Sequence, residues 1–327
     1  MKNYFGAIGA IASIVGLTMA GPASAQDLSA KPLRIVVGFA PGGSHDIIAR
    51  VLGARMGASL NQQPIVDNRT GANGIIAADY VAKAVPDGYT LMLTGMSTLV
   101  LNPLVYSKVP YDTFKDFAPV TGVAAVQQIF AAHPGLPVKS LKDLAALAKK
   151  SPGKLTSASP GIGGISHLTL EIFKGIGKYD IEHIAYKGTA PALTDLIGGY
   201  VPLLIADLPA PLPYVKSGKL RALAVTGEAR TLLLPDVPTA REQGFPALQV
   251  TNWIGVVVPA RTPAATVEKL RAALVTAIEA ADTRERYATI GVDPFTAPSS
   301  AVFGAFMRDE FARWEKVVRQ TGIQLQQ

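Results

Sequence analysis

The chain has 327 residues and no cysteine, which excludes a disulfide framework, a thiol nucleophile and a lipid-modified N-terminal Cys. Its formal charge is +7 at pH 7, a mild excess that either concentrates anions near the surface or simply solvates it. No run of Lys and Arg interleaved with aromatics marks a nucleic-acid groove, so no nucleic-acid partner is expected.

Lys2, the apolar stretch 5–19 and the small-x-small triplet Ala23-Ser24-Ala25 read as a signal peptide over residues 1–25, cleaved after Ala25. A membrane anchor is the alternative, but the run is short of the roughly 20 residues a span needs. Beyond residue 26 nothing is long and apolar enough to cross a bilayer; residues 201–210 are broken by Pro202, Asp207 and Pro209. Export without cysteine fits an oxidising compartment. What remains is long for one core and comfortable for two lobes.

Residues 33–39 are a buried-strand pattern, 40–44 a tight glycine turn and 45–60 a helix with apolar residues at helical spacing. A short strand at 64–67, a helix at 74–84 ended by Pro86-Asp87-Gly88, and a strand at 89–94 follow. The alternation resumes with strand 126–132, helix 141–150, strand 155–159, helix 166–175, strand 181–186, helix 189–197 and strands 201–206 and 220–226. Strand 256–258 leads into a helix at 264–281 that Pro263 starts, and a last helix covers 299–320. Residues 208–213 and 234–246 read as irregular connections. Alternating strands and helices predict an α/β protein with mainly parallel sheets covered on both faces. Two such blocks without a long linker predict two lobes joined by crossover strands. The first is discontinuous, 26–123 with 228–327, and the second is 124–227. A hinge closure is expected about the crossovers.

Three loops could carry chemistry. Phe39-Ala40-Pro41-Gly42-Gly43-Ser44-His45-Asp46 joins a strand to a helix. Its glycines allow close backbone approach, and the helix start favours an anion; it could equally be a plain turn capped by Ser44 or Asp46. Thr94-Gly95-Met96-Ser97-Thr98 ends the third strand, where an open parallel sheet places its ligand crevice; ordinary turn chemistry is the alternative. The run from Ser157 through Ser159, Gly161, Gly163 and Gly164 to Ser166-His167 is a second glycine turn before a helix, with His167 either touching a ligand or satisfied locally. Catalytic patterns are incomplete. Gly164-Ile165-Ser166-His167-Leu168 lacks the second glycine of a nucleophile elbow. The four histidines show no metal-ligand spacing. No catalytic residue, metal or cofactor is expected.

At these residues the chain resembles the tripartite tricarboxylate transporter substrate-binding family, the Bug receptors. Four blocks match in order: Pro41-Gly42-Gly43 with Asp46 and Ala49-Arg50; Val66-Asp67-Asn68-Arg69 with Gly71-Ala72 and Gly74; Ala158-Ser159 with Gly161, Gly163 and His167-Leu168; and Tyr186-Lys187-Gly188 with Pro191-Ala192, Asp195-Leu196 and Gly198-Gly199. The resemblance covers essentially the whole chain after the signal peptide. It implies a type II periplasmic-binding-protein fold that closes on a small carboxylate, held by backbone N–H groups, hydroxyls and water. Carried over by position, Gly42, Gly43, Ser44 and Asp46 belong to the first-lobe loop, with Thr94, Ser97 and Thr98 in the loop that faces it. Ser159, Gly161, Gly163 and Gly164 contribute the second-lobe turn, and Ser166 and His167 start its helix. Many relatives carry Ser where this chain has Gly164. Asp207 follows a strand and either reads a donor on the ligand or is an exposed loop acid. The resemblance also implies a membrane permease or a sensor protein as partner.

The sequence thus reads as a monomeric periplasmic receptor that captures a small organic carboxylate for uptake or sensing. The alternative is a secreted hydrolase or transferase on the same fold. No single Lys or Arg is expected to dominate binding, with Lys187 the nearest exception. Gly43→Val is expected to be severe, both by blocking approach to the ligand and by straining a glycine conformation.

Overall fold

Short apolar runs set the strands, and their alternation divides two cores. In the computed structural model, which describes Leu28 and residues 30–321, the chain forms β1 (Arg34–Val37), α1 (Ser44–Leu60), β2 (Ile65–Asn68), α2 (Ile75–Ala82), β3 (Thr90–Gly95), α3 (Asn102–Val105), β4 (Phe117–Ala132), α4 (Leu141–Lys150), β5 (Leu155–Ser159) and α5 (Ile165–Gly177). It continues with β6 (Ile181–Ala185), α6 (Thr189–Ile197), β7 (Leu203–Asp207), α7 (Leu212–Lys216), β8 (Arg221–Val225), β9 (Thr251–Pro259), α8 (Ala264–Glu279), α9 (Ala281–Ile290), β10 (Asp293–Pro294) and α10 (Ser300–Thr321). The expected signal peptide lies outside the described residues. Among those residues no helix is long and apolar enough to cross a membrane.

The strands follow the order β2-β1-β3-β9-β4-β7-β5-β6, with β8 and β10 also pairing β4. β1 pairs β2 and β3 in parallel, and β5 pairs β6 and β7 in parallel. Every antiparallel pair involves β4 or β9. These two strands are the crossovers. Residues 117–127 of β4 pair β9 in one half, whereas 128–132 pair β7 and β8 in the other. β4 is much longer than the predicted strand because two register shifts, near Pro119 and Gly122, let it carry a proline and a glycine and keep pairing.

Side-chain alternation covers each half on both faces. Ile35, Val37, Leu91 and Leu93 join one cluster with α1 and α8, while Val36 and Met92 join another with α2 and α10. In the second half Phe130, Leu203 and Ile205 face one way, and Ala131, Leu204 and Ala206 the other. Ala240, Phe245 and Leu248 pack with Leu223 and Ala224 of β8 in the same cluster as Phe130 and Leu203. The single helix expected at 264–281 is two, broken at Ala280, whose ψ of 137° is not helical.

Candidate functional site

One wall begins at the turn between β1 and α1. Gly42 has φ +81°, in the left-handed region that glycine enters freely. This conformation lets its N–H donate to Asp46 Oδ2 at 2.9 Å. The same carboxylate accepts two bonds from Arg50, both at 2.9 Å. Burial pushes the Asp46 pKa up, but the Arg50 and Gly42 donors outweigh it and hold the group below the ordinary carboxylate range. Asp46 thus braces the turn. Gly43 precedes α1 with no side-chain cap, which leaves the first-turn N–H groups, unsatisfied inside any helix, open to another acceptor. Ser44 Oγ is buried with no partner. His45 packs on Phe39 with ring centroids 4.8 Å apart, and burial lowers its pKa to about 4, so the imidazole is neutral at pH 7.

Beside it stands the turn after β3. Thr94 is buried at the strand end. Ser97 opens a π-helical turn, Ser97–Leu101, a feature often found at functional sites. Thr98 donates to the Asn73 carbonyl at 3.2 Å, and Asn102 exchanges hydrogen bonds with both the carbonyl and the side chain of Asn73. Asn73 is thereby fixed, and its Oδ1 is presented to the opposite wall.

That wall is the glycine turn before α5. Ser159 Oγ donates to Gly161 O and lies 2.7 Å from His183 Nε2. Gly163 N–H donates to His167 Nδ1 at 3.0 Å. The His167 ring stacks on His183 at 3.8 Å, and burial lowers both pKa values. The pair stiffens the turn from behind. Gly164 precedes α5, again with no side-chain cap on its own helix. Instead Ser97 Oγ crosses from the facing wall and accepts from Ile165 N–H at 3.0 Å. Ser166 Oγ accepts from Gln128 Nε2 at 2.6 Å, so its proton is left for another acceptor. A third helix start, at Gly188-Thr189, closes the rim, where Ala40 N–H donates to Lys187 O at 3.3 Å.

The floor is made by the end of β7 and the crossovers. Asp207 ends β7 opposite Gln128, and Asn252 lies near the start of β9. Asn252 Nδ2 donates to Asp207 Oδ2 at 2.9 Å. Asp207 is only 7 % exposed, which overturns its reading as an exposed loop acid, and burial raises its pKa to about 6.

Together these elements line a small cavity of about 30 Å³. Of the residues singled out in the sequence, Gly43, Ser44, Ser97, Gly161, Gly164, Ser166 and Asp207 line it. Gly42, Asp46, Thr94, Thr98, Ser159, Gly163 and His167 do not; most of them hold the lining residues in place. The sequence reading missed Phe39, His45, Asn73, Pro160, Ile165, Thr189 and Asn252. Phe39, His45, Pro160 and Ile165 sit inside turns already singled out, and Asn73 and Thr189 adjoin matched glycines. Asn252 had no local signal. Among the described residues no Lys or Arg lines the cavity, and the Lys187 carbonyl accepts from Ala40 N–H. Gly43 has φ −79°, a conformation open to any residue, and a Cβ there would meet Ala40 O at 3.4 Å. The conformational ground for a severe Gly43→Val effect therefore belongs to Gly42. The crowding belongs to Gly161 and Gly164, where a Cβ would stand 2.7 and 2.8 Å from Asn73 Oδ1. Among the described residues no group of three or more His, Cys, Asp or Glu could hold a metal ion.

Comparison with known proteins agrees with this architecture. The family described as Tripartite tricarboxylate transporter family receptor matches residues 48–323. Protein BugT of Bordetella pertussis (strain Tohama I) is 36% identical over 326 residues, covering 99% of both chains. A solved structure described as a periplasmic transporter is 38% identical with a TM-score of 0.87, covering 90% of this chain and 98% of that one. The R. palustris protein Rpa4515, solved with adipate, is 35% identical with a TM-score of 0.86 and the same coverage. The fold is accordingly a two-lobe α/β fold shared with periplasmic binding proteins.

Proposed function

This chain belongs to the tripartite tricarboxylate transporter family of receptors, and from that premise we propose that it captures a small organic carboxylate between the starts of α1 and α5. It is a solute-binding receptor rather than an enzyme, and as a member of this family it works in the periplasm. The observation that carries the ligand assignment is the pair of helix starts, each preceded by glycine and each without a side-chain cap on its own helix, facing one cavity that holds no Lys or Arg. Such N–H groups and the helix dipole favour an anion, and they avoid burying an unpaired cation in the empty closed cleft. The adipate bound by Rpa4515 is a ligand of the same class. Gly43, Ser44, Ser97, Gly161, Gly164 and Ser166 are the contacts we assign, with Gly42, Asp46, Thr94, Thr98, Ser159, Gly163 and His167 supporting them.

The lobes in this reading are residues 30–127 with 251–321, and 128–250, moving about the points where β4 and β9 change partners. The protein is exported by cleavage after Ala25, acts as a monomer and passes its cargo or signal to a membrane permease or a sensor protein. The test is mass spectrometry of the small molecules released on denaturing the purified protein, followed by calorimetry with the acid identified. A carboxylate returned unchanged at one per chain supports the assignment. Turnover of the ligand, or tight binding only of molecules without an acid group, contradicts it.

A further inference from the structure

The floor of the cavity is built unlike its walls. The walls offer donors: helix-start N–H groups and the Ser166 hydroxyl. The floor offers acceptors. Asp207 Oδ1 and Asn252 Oδ1 are both buried without a hydrogen-bond partner, on side chains 7 % and 2 % exposed that hold each other through their remaining atoms. Both residues line the cavity. A buried polar atom left unpaired costs free energy comparable to a lost hydrogen bond, so two acceptors left side by side mark a place for a donor. A hydroxyl has one proton for two acceptors. An ammonium has three, and its charge offsets that of a buried carboxylate which no Lys or Arg neutralises. A second carboxylate here would set like charge against like.

We infer that the ligand is an amino carboxylate: its acid group sits on the helix starts and its ammonium group sits on Asp207 and Asn252. The inference rests on the carboxylate assignment above and narrows it. Around Asp207 the crossover strands present Gln128 and Asn252, α5 presents Ser166 and α1 presents His45. His45 is the other titratable group lining the cavity, and with its pKa near 4 it stays neutral through the range in which Asp207 ionises. Binding an ammonium requires the ionised Asp207 carboxylate. Affinity for an amino acid therefore falls, by up to about tenfold per pH unit, as pH drops below about 6. A dicarboxylate that shared a proton with Asp207 would show the opposite sign.

Calorimetry with matched acids tests this. Three sets differ only in bearing ammonium, hydroxyl or hydrogen at one carbon: alanine, lactate and propionate; aspartate, malate and succinate; phenylalanine, phenyllactate and 3-phenylpropionate. In the set that fits, the amino member is expected to bind at least tenfold more tightly than its partners and to weaken between pH 7 and 5. Asp207→Asn should erase the preference. Should that variant not fold, the sign of the wild-type pH dependence decides alone. Equal or tighter binding of the unsubstituted or hydroxy member, or tighter binding at pH 5, overturns the inference while leaving the carboxylate receptor intact. If no acid of any kind binds the folded protein, the carboxylate assignment itself fails and the inference falls with it.

Discussion

At the start of α1 a Cβ on Gly43 would meet nothing nearer than Ala40 O at 3.4 Å, whereas at the start of α5 a Cβ on Gly164 would press to 2.8 Å of Asn73 Oδ1 and 3.2 Å of Ser97 Oγ. Both turns carry two or more glycines before a helix with no cap of its own. The first is shaped from within, by Asp46 gripping Gly42 N–H and Arg50. The second is shaped from across the cleft, by Asn73 and Ser97 of the other lobe. One turn is thus held by its own side chains, and the other by side chains of the facing wall. Ile165 and Leu168 make the same point, since they join an apolar cluster whose other members are mostly first-lobe residues.

The largest effect should come from Gly164→Val. The branched side chain enters the space that Asn73 fills in the closed form and opposes closure by about 1–3 kcal/mol, as overpacking does. Affinity should fall roughly 5- to 150-fold, while the ligand-free protein keeps its melting temperature. Gly43→Ala is the matched control and should change affinity by less than about threefold, since its Cβ makes ordinary contacts. Calorimetry on both variants decides, and a reversed order would break the contrast between the two turns. Next comes Ser44→Ala, expected to cost about 1–3 kcal/mol of binding if its unpartnered hydroxyl meets a charged oxygen. Ser97→Ala removes the bond to Ile165 N–H and should cost about 1 kcal/mol, with faster ligand release in stopped-flow traces.

Asp46→Asn acts on stability instead. It weakens the pair with Arg50, a residue about half exposed, so about 1 kcal/mol is expected rather than the value of a buried pair. Because the folded Asp46 pKa is depressed, its contribution is present above about pH 4, the unfolded value, and is lost as pH falls through the folded one. The variant should therefore converge on wild type in acid unfolding curves. The last effect is a slope. His45 has a folded pKa of about 4 against about 6.5 unfolded, so the unfolded chain binds more protons between these values and stability rises with pH there, by at most about 1.4 kcal/mol per unit. His45→Phe should remove that component from denaturant titrations run between pH 4.5 and 6.5.

The strand-turn-helix units were legible because buried runs such as Ile35-Val36-Val37 and the helical spacing that follows report a local period. The glycine turns were legible for the same reason: they lie in one stretch of chain. What the sequence did not show is which turn residues face inward. Ser159, Gly163 and His167 stand among the lining residues in sequence, yet the stacking of His167 on His183 turns them behind the wall. Asn73 and Asn252 reach the cavity through contacts to residues 29 and 45 positions away, which no window on the chain reveals. The length of β4 was hidden by Pro119 and Gly122, which ordinarily end a strand and here sit at bulges. Asp207 was open between surface and site until the crossover strands were seen to bury it.

The central claim is that the acid is held by the two helix starts, and a crystal structure of the protein with its tightest carboxylate tests it most directly. The account predicts that carboxylate oxygens lie within about 3.2 Å of first-turn N–H groups of α1 and α5, or one water away, with Asn73 Oδ1 against Gly161 and Gly164. A carboxylate paired instead with a Lys or Arg side chain, Lys187 among them, or seated outside the cleft between these two turns, would contradict it.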